Sequence, residues 1–166
     1  AQPARLGEAG FEREVAAGEM VIITEEGLRS VFPFKKVGPA QCIFEFIYFS
    51  RPDSRIFGQS VYGVRERLGI ALAKEHPVRA DMVVSIPDSG NYAALGYAKE
   101  SGLPFEFGMI RNHYVGRTFI QPSQDMRDYG VRIKLNPIKE VLKGKKVVVV
   151  EDSIVRGTTT GSRIKA

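Results

Sequence analysis

Cysteine occurs once, at Cys42, in a chain of 166 residues. A single thiol forms no internal disulfide, so a disulfide scaffold is excluded and a reducing compartment fits. No apolar run approaches the ~18–20 residues of a membrane span. The first ten residues, AQPARLGEAG, lack the charged-then-apolar pattern of a secretory signal. There is no internal repeat and no biased tract. GxxxxGK followed by Ser or Thr does not occur, and neither does GxGxxG. Both absences argue against a nucleotide triphosphatase and a dinucleotide dehydrogenase.

What is present is an ordinary soluble balance, 43% hydrophobic and 26% charged. The length suits one domain that buries roughly 70% of its unfolded surface without a metal or disulfide. Charge is unevenly spread. Residues 1–100 hold 12 Lys+Arg and 13 Asp+Glu, for −1, while residues 101–166 hold 12 and 6, for +6. A basic second portion suits an anionic ligand: nucleic acid, a membrane surface or a small phosphorylated molecule. A solvated basic face is the plain alternative.

Two β-rich runs, 19–24 and 28–34, flank Glu25-Glu26-Gly27 and predict a hairpin. Lys35 to Pro39 reads as a boundary. Cys42 to Phe49 is apolar and aromatic and predicts a buried strand, with Glu45 its costly member and the aromatics as core. Cys42 itself reads as a small buried hydrophobe. Residues 60–75 predict an amphipathic helix with Val61, Val64, Leu68 and Ala71 or Leu72 inward. Arg65, Glu66, Arg67 and Lys74 are expected to face away, and Pro77 stops the helix. Met82 to Ile86 predicts a strand, Pro87 to Gly90 a tight turn, and Asn91 to Ser101 a helix closed by Gly102. Phe105 to Ile110 predicts another strand. Residues 111–137 follow as one long loop, the kind that is usually a functional lid or disordered. Lys139 to Leu142 fits one helical turn, and Val147 to Val150 a strand buried on both faces. Residues 160–166 predict the start of a further helix. Strand, helix, strand, then strand and helix again predict an α/β fold with a parallel sheet.

In such sheets ligands sit at the carboxyl ends of strands, and the loops 87–90 and 151–159 both begin there. In VVVVEDSIVRGTTTG, two carboxylates are followed by small and hydroxyl residues opening a helix. Free amides at a helix start and the hydroxyls of Ser153, Thr158 and Thr159 suit a monophosphate, and Gly157 lets backbone approach it. Glu151 and Asp152 would repel that phosphate, so they suit sugar hydroxyls or a hard cation. A sugar phosphate meets both demands. An ordinary capped strand–helix turn is the alternative.

The same stretch resembles the phosphoribosyl pyrophosphate (PRPP) signature of type I phosphoribosyltransferases. SIPDSGNYAALGYA resembles their pyrophosphate loop. CIFEFIYFSRPDS and RNHYVGRTFIQPSQDMRDYGVRIKLN narrow the resemblance to the glutamine PRPP amidotransferase family. It covers residues 15–166, in family order. The resemblance implies an enzyme that frees ammonia from glutamine and uses it to displace pyrophosphate from PRPP. The product is phosphoribosylamine, at the first committed step of purine synthesis. It implies that residues 1–40 are the tail of an Ntn-type glutaminase domain, their ITEEGL hairpin included. Residues 41–166 would be the first part of the transferase domain, making the chain an internal fragment inactive alone. The family's N-terminal cysteine nucleophile has no counterpart at Ala1, and Glu151 stands where two aspartates are usual.

By that resemblance Glu151 and Asp152 hold the ribose hydroxyls and help place Mg²⁺. Ser153, Ile154, Val155, Arg156, Gly157, Thr158 and Thr159 cradle the 5-phosphate. Asp88, Ser89 and Gly90 hold pyrophosphate, with Ser89 near the metal. The 111–137 loop would be the family's flexible loop, with Tyr114, Arg117 and Lys134 facing ligand as the catalytic set. Tyr114 and Phe119 as lid packing, and His76 and His113 as surface histidines, are the plain alternatives. Cys42 matches the first ligand of a [4Fe-4S] cluster found in some members, whose other ligands would lie beyond Ala166. Other implied properties are a homotetramer, purine nucleotides as feedback inhibitors, cytoplasmic location, and neither nucleic acid nor membrane as partner. The competing reading is a non-enzymatic PRPP-sensing regulator on the same fold, which should carry a DNA-binding module. A salvage phosphoribosyltransferase without glutaminase is a third.

Overall fold

The computed structural model describes residues 12–35, 38, 40–114 and 135–154. The predicted hairpin is present: β1 (Met20–Thr24) pairs antiparallel with β2 (Gly27–Val31), Thr24 opposite Gly27. Gly27 takes φ +122°, which a side chain would resist. Arg13 braces the hairpin from outside. Its guanidinium donates to both Glu19 carboxylate oxygens and to Ser30 Oγ. Ala16 N–H adds a 2.7 Å bond to Glu19.

The aromatic segment is not a strand. Glu45–Phe49 forms a π-helical turn in which Phe46 alone is buried. Ile43, Phe44, Tyr48 and Phe49 are exposed, as is Cys42, so neither the core aromatic stripe nor the buried thiol holds. Glu45 is only partly buried, and Ser50 Oγ donates to it at 2.6 Å, which offsets the cost expected of it. A two-residue ladder, β3 (Arg55–Ile56) with β4 (Gln59–Ser60), leads into the first helix.

Helix α1 (Val61–Glu75) starts at Ser60, whose Oγ accepts from Gly63 N–H, and ends before Pro77. Its buried stripe differs from the predicted one. Val61, Arg65, Gly69 and Ala73 are buried, whereas Leu68 and Leu72 are 44% and 39% exposed. The reason lies in how α1 meets α2 (Asn91–Ser101). A Cβ on Gly69 would lie 1.9 Å from Ala93 O, and one on Gly96 2.0 Å from Glu66 O. The helices touch backbone to backbone, so small residues carry the contact and large ones are pushed to its margins. Tyr97 Oη donates to His76 O and ties α2 to the end of α1. Gly102 closes α2 in the left-handed conformation, φ +71°.

A parallel sheet in the order β6-β5-β9 supports both helices: β6 (Phe105–Glu106), β5 (Met82–Ser85) and β9 (Val147–Val150). Strand β5 is buried throughout. In β9 Val150 is buried but Val147 to Val149 are only partly so, because among the described residues β5 is its one neighbour. The predicted strand 105–110 is broken in two. At the bend, a Cβ on Gly108 would meet Leu142 Cδ2 at 2.7 Å and Val84 at 2.9 Å. Only a glycine passes there, and the chain leaves the sheet. It then forms β7 (Met109–Arg111), antiparallel to β8 (Leu135–Pro137). The long loop therefore begins and ends in a ladder. A one-turn helix, α3 (Lys139–Leu142), leads to β9. The main core joins Ala73, Val83, Ala94, Tyr97, Ala98 and Val150 across α1, α2 and the sheet.

Candidate active site

Parallel pairing of β5 with β9 sets the geometry. Met82 lies opposite Val147 and Ser85 opposite Val150, so both strands end at the same level. Ile86 N–H continues the ladder to Val150 O at 2.9 Å. The loops 87–90 and 151–154 therefore leave side by side. Gly90 is where they touch. A Cβ there would lie 2.8 Å from Ile86 O and from Val150 O, and 3.4 Å from Glu151 Cα. Its N–H returns to Ile86 O, and Ala94 N–H donates to Gly90 O, so the turn passes directly into α2. Below it, Ser85 Oγ and Asn91 Oδ1 are 2.6 Å apart, joining strand end to helix start.

Asp88 and Ser89 stand on this turn, Asp88 exposed and Ser89 partly buried. Asp88 Oδ2 accepts from Arg111 Nη1 at 2.6 Å. Arg111 Nε is buried with no hydrogen-bond partner among the described residues. On the facing loop, Glu151, Asp152 and Ser153 are partly buried, and Ile154 is exposed. Ser153 Oγ donates to Asp152 Oδ1 at 3.2 Å. Asp152 Oδ2 is buried and unpartnered among the described residues. A buried carboxylate oxygen without a donor is costly unless something supplies one.

Of the sequence-predicted residues, the fold brings Asp88, Ser89, Gly90, Glu151, Asp152 and Ser153 together at one sheet edge. Tyr114 is fully exposed, its N–H bonded to Asn112 Oδ1, and touches none of them by hydrogen bond. Arg117, Lys134, Val155, Arg156, Gly157, Thr158 and Thr159 lie outside the described residues.

Two residues were missed. Arg111 was absorbed into the long loop, although a basic residue at the end of an apolar strand is a readable signal. Arg65 was assigned to the solvent face of α1. It is 4% exposed, and its guanidinium donates to Phe46 O at 2.6 Å and Ser50 O at 2.8 Å. Burial pushes Arg65 below the usual guanidinium value, and the charge of Asp152, with Tyr92, pulls it back up.

Among the described residues no three His, Cys, Asp or Glu cluster as metal ligands. Mg²⁺ does not require such a cage; it keeps several waters and takes one or two carboxylates plus substrate phosphates. The unpartnered Asp152 Oδ2 fits that role or a sugar hydroxyl. An iron–sulfur cluster takes four thiolates. This chain supplies one candidate thiolate, Cys42, which is exposed. No helix of the described residues is long and apolar enough to cross a membrane.

No protein-family model matches the chain. Curated relatives do. The chloroplastic amidophosphoribosyltransferase 1 of Arabidopsis thaliana is 56% identical over 160 residues, 96% of this chain and 28% of that protein. The amidophosphoribosyltransferase of Synechococcus elongatus is 51% identical over 158 residues, covering 95% and 32%. That of Mycobacterium tuberculosis is 50% identical over 157 residues, covering 95% and 30%. Two solved structures are similar throughout. One, an allosteric regulatory enzyme of purine biosynthesis, has a TM-score of 0.79 at 51% identity, covering 93% of this chain and 33% of its own. The other, the glutamine PRPP amidotransferase of B. subtilis complexed with ADP and GMP, has a TM-score of 0.76 at 53% identity, covering 90% and 33%. The chain thus spans about a third of the length of the proteins it matches. It is a homologue, along nearly its whole length, of one segment of the amidophosphoribosyltransferases.

Proposed function

We propose that this chain carries the PRPP-binding portion of an amidophosphoribosyltransferase, which uses ammonia from glutamine to convert PRPP to 5-phosphoribosylamine and pyrophosphate. The observation that carries it is the pair of loops held side by side at the carboxyl ends of β5 and β9, with Asp152 Oδ2 on one of them buried and unpartnered among the described residues.

The roles follow from charge. Glu151 and Asp152 accept hydrogen bonds from the ribose 2- and 3-hydroxyls. Amides and hydroxyls from Ser153 to Thr159 take the 5-phosphate. The turn of Asp88, Ser89 and Gly90 receives pyrophosphate, Gly90 letting the turn pass close against Val150 and Glu151. Glu151, Asp152 and Ser89 would hold Mg²⁺, which when bound would supply charge neutralisation for the departing pyrophosphate. As the bond from the anomeric carbon to pyrophosphate breaks, positive charge builds on the ring beside the two carboxylates. Ammonia forms the new bond to that carbon, and the resulting ammonium loses a proton. Tyr114, Arg117 and Lys134 close over the ligand and keep water from capturing the sugar cation.

In this reading residues 1–40 are the tail of the glutaminase domain and 41–166 the first part of the transferase domain. Purine nucleotides act as feedback ligands, a role supported by the ADP and GMP of the B. subtilis relative. The working assembly is a homotetramer. The compartment is reducing and aqueous, a bacterial cytoplasm or, as in the plant relatives, a chloroplast.

The test is pyrophosphate release from PRPP by the full-length protein with ammonium as nitrogen donor. The account expects release that requires Mg²⁺ and falls at least a hundredfold in Asp152→Ala. PRPP binding without any release would support the sensor instead.

A further inference from the structure

Strand β5 ends on a polar residue that the roles above leave aside. Ser85 is 2% exposed. Its hydroxyl has one partner among the described residues, Asn91 Oδ1, at 2.6 Å. That distance decides which end of the amide faces the serine. An O–H···O bond spans about 2.5–3.0 Å, whereas an N–H···O bond is seldom shorter than about 2.7 Å. The serine therefore donates and the amide oxygen accepts. An amide is planar, so fixing Oδ1 on the buried strand end turns both Nδ2 hydrogens the other way. Asn91 is partly exposed, and its Nδ2 makes no hydrogen bond among the described residues.

We propose that Asn91 Nδ2 is a further donor to the pyrophosphate oxygens, and that Ser85 is the positioning residue that keeps it oriented for them. Asn91 follows Gly90 directly, and its own N–H lies 3.4 Å from Asp88 O, so the side chain springs from the edge of the 87–90 turn. It is also the first residue of α2, whose N-cap Gly90 places no side-chain oxygen over the helix start. An anion there meets donors and the positive end of an 11-residue helix. Asp88, the carboxylate of the turn, is already paired with Arg111 at 2.6 Å. Held from beneath by Ser85, the Asn91 amide is preorganised: it has no reorientation to make as charge builds on the leaving group. The inference rests on the PRPP reading of this turn.

The test is calorimetric titration of pyrophosphate with Mg²⁺ into the full-length protein as wild type, Asn91→Ala, Asn91→Leu, Ser85→Ala and the Ser85→Ala/Asn91→Ala double variant, each shown to be folded by its thermal unfolding. Asn91→Ala and Ser85→Ala remove the same bond, but only the first removes the donor. Asn91→Ala should bind about five- to tenfold more weakly, the worth of one neutral hydrogen bond. Asn91→Leu, which fills the space without a donor, should match it. Ser85→Ala should lose only about twofold, since the donor remains but is free to turn. In the Asn91→Ala background, Ser85→Ala should change the affinity no further, because Ser85 acts through Asn91. Equal losses in Ser85→Ala and Asn91→Ala make the pair a structural tether and overturn the inference, as does an Asn91→Ala or Asn91→Leu that binds like wild type; the PRPP reading survives either result. Wild type that binds no pyrophosphate overturns both.

Discussion

Glu19 shows what a single partner does to an ionisable group. The Arg13 fork, the Ser30 hydroxyl and the Ala16 amide hold its carboxyl down at about 2. An unfolded glutamate titrates near ~4.3. Because the folded value is the lower one, the stabilisation is complete above the unfolded value and is lost as pH falls toward 2. The gap between thermal melts of wild type and Glu19→Gln should therefore be full at pH 6 and shrink steadily as pH falls from about 4 toward 2. A constant gap across that range would show that the Arg13 bracket is not what holds the hairpin's entry. The site residues obey the same logic of partners. Asp88 has Arg111 and Asp152 has Ser153, and in each case one buried atom has no partner among the described residues, Arg111 Nε and Asp152 Oδ2. The carboxylates and the small residues at the strand ends were legible in the sequence because their chemistry is local. Arg65 was not. It sits four residues after Val61 on the inward stripe, but its charge argues for solvent, and its burial depends on carbonyls 15 and 19 residues away.

Among elements, α1 and α2 make the clearest case for packing by smallness. Alanine is a better helix former than glycine. Yet Gly96→Ala would put a methyl 2.0 Å from Glu66 O, and Gly69→Ala one 1.9 Å from Ala93 O. The steric term dominates, since overpacking of this kind costs about 1–3 kcal/mol and sometimes more. Urea unfolding of Gly96→Ala should show a loss of at least about 2 kcal/mol. A gain in stability would mean the helices are not in backbone contact. This explains why the helix was legible and its inward face was not. The apolar spacing marks a helix, but the contact stripe Val61, Arg65, Gly69 and Ala73 carries almost none of the large apolar side chains. The π-helical turn was illegible for a related reason. A short aromatic run reads as a buried strand or a buried helix alike, and here it is neither.

At the scale of the whole molecule, the parallel sheet makes neighbours of loops more than sixty residues apart. Strand β5 runs beside β9 in register, so the turn at Asp88 and the carboxylates at Glu151 and Asp152 share one edge. That convergence was legible because a parallel α/β sheet collects its loops at the carboxyl ends of its strands. The bend at Gly108 and the β7–β8 ladder were not, since both depend on tight passage past Leu142 and Val84. The central claim is that this edge grips a ribose 5-phosphate carrying pyrophosphate. Its most direct test is calorimetric titration of PRPP with Mg²⁺ into the full-length protein and into Asp152→Ala. The account predicts a loss of affinity of at least tenfold, about 1.4 kcal/mol or more. Equal affinity in the two proteins would contradict it.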